Sequence, residues 1–289
     1  MKKFIFKVSF FIILLIILYT LPFQYIKNDL SKRISNSETL IIGDSHTEYI
    51  DLPNTFNYSV PGSAYFTQYS FIKEFENSIK NKKVFLAFNY HNLSNLYQNR
   101  LLNDSILPKW KEHNLKLVNK YNLYNKYRFE NINENINPFK LIDFKKNIDD
   151  FASLCLFNKN ESINSSTSVA DTIQIKDAIF RHWLNPKYVV QDKIQRDYLN
   201  RMIMLLLKNG NEVVLLKMPI TRYYFNNIPS ETKKELDSFS YTNGLRLLDL
   251  HARLKLQNNY NLFKDYGHLN IKGDSIVVNY FLENELSSH

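Results

Sequence analysis

Three short runs of nearly unbroken apolar residues, at 38–43 (ETLIIG), 83–88 (KVFLAF) and 212–218 (EVVLLKM), constrain this chain more than any other feature. Each is too short for a core helix and too uniformly apolar for a strand with one wet face. Each therefore reads as a strand covered on both sides, which is the signature of a parallel sheet. Parallel neighbours need crossover connections, usually helical. Helical stretches stand where they are required: 64–77 follows the first strand, and 188–208 precedes the third, with Ile194, Tyr198, Met202, Leu205 and Leu206 on one face and Gly210 as the stop. A further strand is expected at 245–249 (LRLLD) and a terminal helix at 272–285 behind Asn270. The expected class is α/β, a three-layer sandwich with a mostly parallel sheet flanked by helices.

The length allows one large folded domain or two small ones, and the alternation of strands and helices reads as one α/β domain at 34–289. The chain has 289 residues, 44% of them hydrophobic and 22% charged, enough to bury a core and unlike a disordered chain. From about 96 to 186 the strand and helix alternation stops, and an Asn-, Lys- and Tyr-rich stretch reads as a helical or irregular insertion or a lid. Within it Tyr121, Tyr124 and Tyr127 recur at spacing three, as an aromatic platform or a packed helix face, and 158–167 (NKNESINSST) is a polar loop. One cysteine, Cys155, excludes an internal disulfide framework and a cysteine-based zinc cluster.

The first 33 residues read as a signal anchor followed by a basic linker. Lys2, Lys3 and Lys7 precede an apolar run at 8–23, and the end of that run lacks the small-residue cleavage pattern of a secretory signal. A spanning helix needs about 20 apolar residues, which the run reaches when Phe4, Ile5 and Phe6 are counted with it. The lysines hold the N-terminus in the cytoplasm, so the expectation is a single-pass protein of a bacterial inner membrane with its domain facing the periplasm or exterior. Lys2, Lys3, Lys7, Lys27, Lys32 and Arg33 against Asp29 carry +5 of the net +9, which leaves the body mildly basic. It has no basic stripe or reader motif, so no nucleic-acid partner is expected.

Chemistry is expected at the carboxyl ends of the strands, where open α/β sheets bind ligands. After the first strand comes Gly43-Asp44-Ser45-His46, a serine hydroxyl in a tight turn. Serine needs a base within hydrogen-bond reach and a third group to orient that base. Near the C-terminus, Lys264-Asp265-Tyr266-Gly267-His268-Leu269-Asn270 sets an aspartate and a histidine three apart just before the last helix. One such turn allows the carboxylate to hold the imidazole tautomer while the other ring nitrogen faces Ser45.

These residues resemble the SGNH or GDSL-type serine hydrolases. Gly43-Asp44-Ser45-His46 is similar to the first family block, with His where the family name has Leu, and Asp265-x-x-His268 is similar to the last. The resemblance implies Ser45 as nucleophile, His268 as general base and Asp265 as its orienter. It also implies an oxyanion hole from the backbone N–H groups of Ser45 and Gly62, in Asn57-Tyr58-Ser59-Val60-Pro61-Gly62, with the side chain of Asn89 in Ala87-Phe88-Asn89-Tyr90. The third block departs from the family's G-x-N-D, since neither its Gly nor its Asp is present, and Asp44, His46, His91 and Asn92 stand as possible pocket residues. The implied activity is that of a serine esterase, deacylase or O-acyltransferase on acylated polysaccharide or another envelope glycan, needing no metal, nucleotide or redox cofactor. The alternative is a non-catalytic scaffold or binding protein of the same fold in surface-polysaccharide assembly. His113, His182 and His251 carry no partner pattern and read as structural.

Overall fold

The computed structural model describes residues 2–102, 170–188 and 194–286, the side chains of 2–3, 12–23 and 100–102 lying outside that description. Five parallel strands form one sheet: β1 (Thr39–Gly43), β2 (Thr55–Ser59), β3 (Lys83–Ala87), β4 (Glu212–Lys217) and β5 (Arg246–Asp249), in the order β2-β1-β3-β4-β5. The three apolar runs are β1, β3 and β4, the interior strands. β2, with Thr55, Asn57 and Ser59 half-exposed along one edge, has no such run.

Alternation along the interior strands builds two cores. Leu40, Ile42, Val84, Leu86, Val213 and Leu215 face one side. There they meet α2 (Tyr65–Glu74), α5 (Ile194–Lys208) and α7 (Ser230–Thr242), through Phe71, Ile72, Met202, Leu206, Leu236 and Phe239. Ile41, Phe85, Val214 and Leu216 face the other side, against Val277 and Phe281 of α9 (Ile271–Asn284) and Leu250 of α8 (Leu250–Leu254). The result is the three-layer α/β arrangement with helices on both faces. The remaining helices are α1 (Lys2–Asn36), α3 (Asn95–Leu102), α4 (Thr172–Ile179), which runs on into a π-turn at Phe180–Leu184, and α6 (Arg222–Asn226). Asn270 caps α9 as expected, its Oδ1 accepting from the N–H groups of Lys272 and Gly273.

α1 is continuous through the segment expected to be a basic linker. Its last turns are docked on the body: Ile34 is fully buried, Ile26 and Leu30 pack on the first core, Lys27 pairs with Glu74, and Arg33 lies over the Phe56 ring. Among the described residues no helix is long and apolar enough to cross a membrane, and most of the apolar run at 8–23 lies outside the described side chains. Cys155, His113, the tyrosines at 121, 124 and 127 and the polar loop at 158–167 also fall outside the described residues.

This strand order reverses direction between β1 and β3, and the crevice outside their carboxyl ends is where doubly wound sheets bind ligands. The chain places Ser45 after β1 and Asn89, His91 and Asn92 after β3 at that crevice.

Candidate active site

The turn after β1 is fixed from below. A Cβ at Gly43 would lie 2.1 Å from Thr47 Oγ1 and 2.8 Å from Ala87 Cβ, so only glycine lets the strand end sit this close to its neighbours. Thr47 Oγ1 pairs with Ser59 Oγ at 2.7 Å, and Asn57 Nδ2 donates to the carbonyls of Thr47 and Ile50. The loop after β2 docks on the same strand end, with Ser63 Oγ and the Val60 N–H both donating to the Gly43 carbonyl. Gly62 sits in that loop with φ 72°, a conformation that favours glycine.

The loop before α9 is a closed hairpin. Phe263 bridges Leu269, the Lys264 N–H donates to the His268 carbonyl, and the Tyr266 carbonyl accepts from both the N–H and Oγ1 of Thr221 beyond β4. Asp265 Oδ1 accepts the N–H groups of Gly267 and His268, at 3.0 and 2.9 Å. Asp-x-x-His is thus a self-capped turn, which leaves Oδ2 for the ring.

The two loops bring Ser45, His268 and Asp265 together. His268 Nδ1 and Asp265 Oδ2 are 2.7 Å apart, and His268 Nε2 and Ser45 Oγ are also 2.7 Å apart. Burial opposes ionisation of Asp265, but the hydrogen bond and charge of His268 and the two backbone N–H groups outweigh it and hold the carboxyl below the usual carboxylate range. On His268 burial acts downward and the Asp265 contact upward, and the upward effect is larger, leaving the imidazole above its ordinary 6.5. This is the geometry of a nucleophile, a base and an orienting acid.

Asp44, His91 and Asn92 form a layer beneath the serine rather than the wall of a pocket, each with at most 2% of its surface exposed. Asp44 Oδ2 accepts from His91 Nε2 and Asn92 Nδ2, both at 2.7 Å, and Oδ1 accepts the His46 N–H at 2.9 Å. Burial pushes the Asp44 carboxyl up, but His91 and His46 more than offset it, and it is held far below the carboxylate range. The Asn89 side chain is anchored through Oδ1, which accepts the Met218 N–H at 2.9 Å, while its buried Nδ2 has no partner among the described residues.

His46 is 5% exposed and lies between two rings, with centroids 4.1 Å from His91 and 4.2 Å from His268. Asp44, His46 and His91 offer ligand atoms within 4.8 Å of one another. Imidazole holds a metal in its ring plane, however, and rings stacked at 22° aim their lone pairs along nearly parallel planes. With the Asp44–His91 contact also a direct hydrogen bond, the cluster is a stack rather than a coordination shell.

Other supports carried no sequence signal, because their partners are far apart in the chain. Lys217, 2% exposed at the end of β4, donates to Tyr90 Oη at 3.0 Å, Asp237 Oδ1 at 2.9 Å and Asp249 Oδ2 at 3.0 Å, which holds the turn that carries His91. Burial lowers its affinity for a proton, but Asp249, Tyr90 and Asp237 outweigh that and raise it above the ordinary lysine value. His182 and His251 are buried; His182 Nδ1 pairs with Tyr224 Oη at 2.5 Å and His251 Nδ1 accepts the Ile220 N–H at 3.3 Å. In the first turn of α9, burial pushes Asp274 up to about 6 despite the nearby charges of Lys264 and His268.

A cavity of about 470 Å³ opens beside the triad loop, lined by Asp265, Tyr266, Gln174, Asp177, Phe180 and Arg181. Its size lies within the range of small-molecule sites. No protein-family model matches the chain, and no curated protein matches it.

Proposed function

We propose that this protein is a serine acyl hydrolase or acyltransferase of the SGNH type, acting on ester-linked acyl groups of an envelope glycan. The relay from Asp265 through His268 to Ser45, with both hydrogen bonds at 2.7 Å, carries the reading. Ser45 Oγ attacks the ester carbonyl as His268 Nε2 takes its proton, and Asp265 holds Nδ1–H and the positive ring. The tetrahedral oxyanion is received by the N–H groups of Ser45 and Gly62 and by Asn89 Nδ2, whose amide is already oriented through Oδ1. His268 returns the proton to the leaving alkoxide. Water, or a sugar hydroxyl activated by the same base, then attacks the acyl-serine; water completes hydrolysis and a sugar hydroxyl completes transfer.

The glycan part of the reading rests on the cavity and on α1. Half-exposed Phe180 offers an apolar face to a sugar ring, and Gln174, Asp177 and Arg181 offer polar groups to its hydroxyls. Phe4, Ile5, Phe6, Phe10 and Phe11 stand 55–73% exposed along the start of α1 beside Lys2, Lys3 and Lys7, and they support anchoring at a membrane surface. Phe180→Ala is expected to raise KM for an O-acetylated oligosaccharide about tenfold, the loss of one ring contact. Turnover of p-nitrophenyl acetate, which leaves the cavity empty, should stay within twofold; equal losses on both substrates would remove the cavity from the reading.

The test of the reaction is a fluorophosphonate, read by intact mass on the full chain, because Ile26, Leu30 and Ile34 of α1 belong to the folded body. A single adduct is expected on the parent and none on Ser45→Ala or His268→Ala. A folded parent that forms no adduct overturns the enzyme reading and leaves the binding or scaffold role.

A further inference from the structure

His46 occupies the position directly after the nucleophile, and three independent features show that the site is built around its ring. One face lies on His268 at 4.2 Å between centroids and 28° between planes, and the other on His91 at 4.1 Å and 22°. His91 is itself held to Asp44 at 2.7 Å, so the lower face cannot drift. Nε2 meets Tyr266 Oη at 3.3 Å, from the loop that carries the base. Gly267 on that loop has no room for a side chain, because a Cβ there would lie 2.5 Å from His46 Cε1.

Holding a histidine in this buried slot carries a cost. The His46 Nδ1 is buried with no hydrogen-bond partner among the described residues, and an orphaned buried polar atom is destabilising. An unpaired acceptor costs less than an unpaired donor, which assigns the proton to Nε2, donating toward Tyr266, and leaves the ring neutral. What the imidazole supplies that an aliphatic chain does not is a partner for the buried Tyr266 hydroxyl and a π face directly against the base.

We propose that His46 is a positioning residue for His268: its neutral ring fixes the plane of the base and is the surface against which the imidazolium formed on proton transfer from Ser45 rests. The inference builds on the serine-hydrolase reading. A cation over an aromatic face is stabilised, and the more so where water is kept from the contact; here the His46 ring is 5% exposed and the His268 side chain 26%, its covered face being the one that lies on His46. Burial, together with His91 and His268, pushes the His46 proton affinity well below the ordinary histidine value, in keeping with a ring that stays neutral while its neighbour charges. The groups facing His268 are Asp265 and Lys264 on its own loop, Ser45, Asp44 and Glu48 around the turn after β1, and Asp274 on α9. Those facing His46 are His91, His268, Asp44, Asp265 and the Tyr266 hydroxyl.

The test compares His46→Leu and His46→Phe in the full chain by NMR titration of ¹³C-labelled histidine and by the pH dependence of fluorophosphonate adduct formation. His46→Leu removes the face, and the His268 midpoint is expected to fall by about half a pH unit with adduct formation slowed about fivefold. His46→Phe restores a face without the hydrogen bond to Tyr266, and should return both readouts to near the parent. A His268 midpoint unmoved in His46→Leu, or moved equally in both variants, overturns the proposal. In the parent itself His46 should stay neutral while His268 titrates, a reading that needs no variant to fold; proton uptake by both over the same range also overturns it. A parent that forms no adduct defeats the serine-hydrolase reading, while the NMR arm still decides the stack.

Discussion

Asp265→Asn is expected to lower turnover of an aryl acetate by about 10⁴-fold while leaving the fold in place, the loss typical of a triad whose base is held in the wrong tautomer. The geometry makes the tautomer the cause. Asp265 Oδ1 accepts the N–H groups of Gly267 and His268, so the single oxygen of an asparagine is retained there. The new amide NH₂ then faces His268 Nδ1 where Oδ2 stood at 2.7 Å. A donor at that point requires the lone pair on Nδ1 and moves the proton to Nε2, the atom that must accept from Ser45. The Ser45–His268 contact survives with its direction reversed. Measured kcat and the rate of fluorophosphonate addition should fall together, with the thermal midpoint nearly unchanged. A drop of less than tenfold would mean that Asp265 only shapes the loop.

Asp44→Asn is expected to destabilise the protein by about 3–5 kcal/mol, the usual cost of breaking a buried charged contact, read as a lower urea midpoint at unchanged slope. The carboxylate is fully buried and accepts from three donors, the His46 N–H, His91 Nε2 and Asn92 Nδ2. An asparagine offers one oxygen for those three and sets an NH₂ against at least one of them. The same residue predicts a pH signature. Its native carboxyl is held below the ordinary 3.8, so its stabilising contribution is complete above that value and is lost as pH falls beneath it. The parent should therefore lose stability on acidification below about pH 3.8 more steeply than the variant. Parallel acid limbs would remove Asp44 from that account.

The interior strands and the Asp-x-x-His turn were legible because each is a local pattern. β1, β3 and β4 are buried on both faces, which forces an apolar residue at almost every position, and the 265–268 turn satisfies its own backbone N–H groups. β2 has no apolar run, because on an edge its outward residues need not be apolar. Asp44, His46, His91 and Asn92 were marked as polar residues near the serine, yet their arrangement was not legible. The contact between His91 and Asp44 spans 47 residues, that between His46 and Tyr266 spans 220, and Lys217 and Tyr90 are 127 apart.

From its sequence alone this chain was committed to an α/β sheet, with a serine turn after the first strand and an aspartate and histidine before the last helix. Apolar runs, caps and self-satisfied turns are decided by residues a few positions apart. Only the tertiary structure decided that the serine and histidine meet at 2.7 Å, that His46 lies flat between two other histidines, and that a carboxylate and a lysine are buried beneath them. Those contacts depend on the strand order β2-β1-β3-β4-β5, which carries the C-terminal loop back across the sheet to the end of β1. Burial of Asp44, His46 and Lys217 there removes water as a competing partner and makes their distant pairings obligatory.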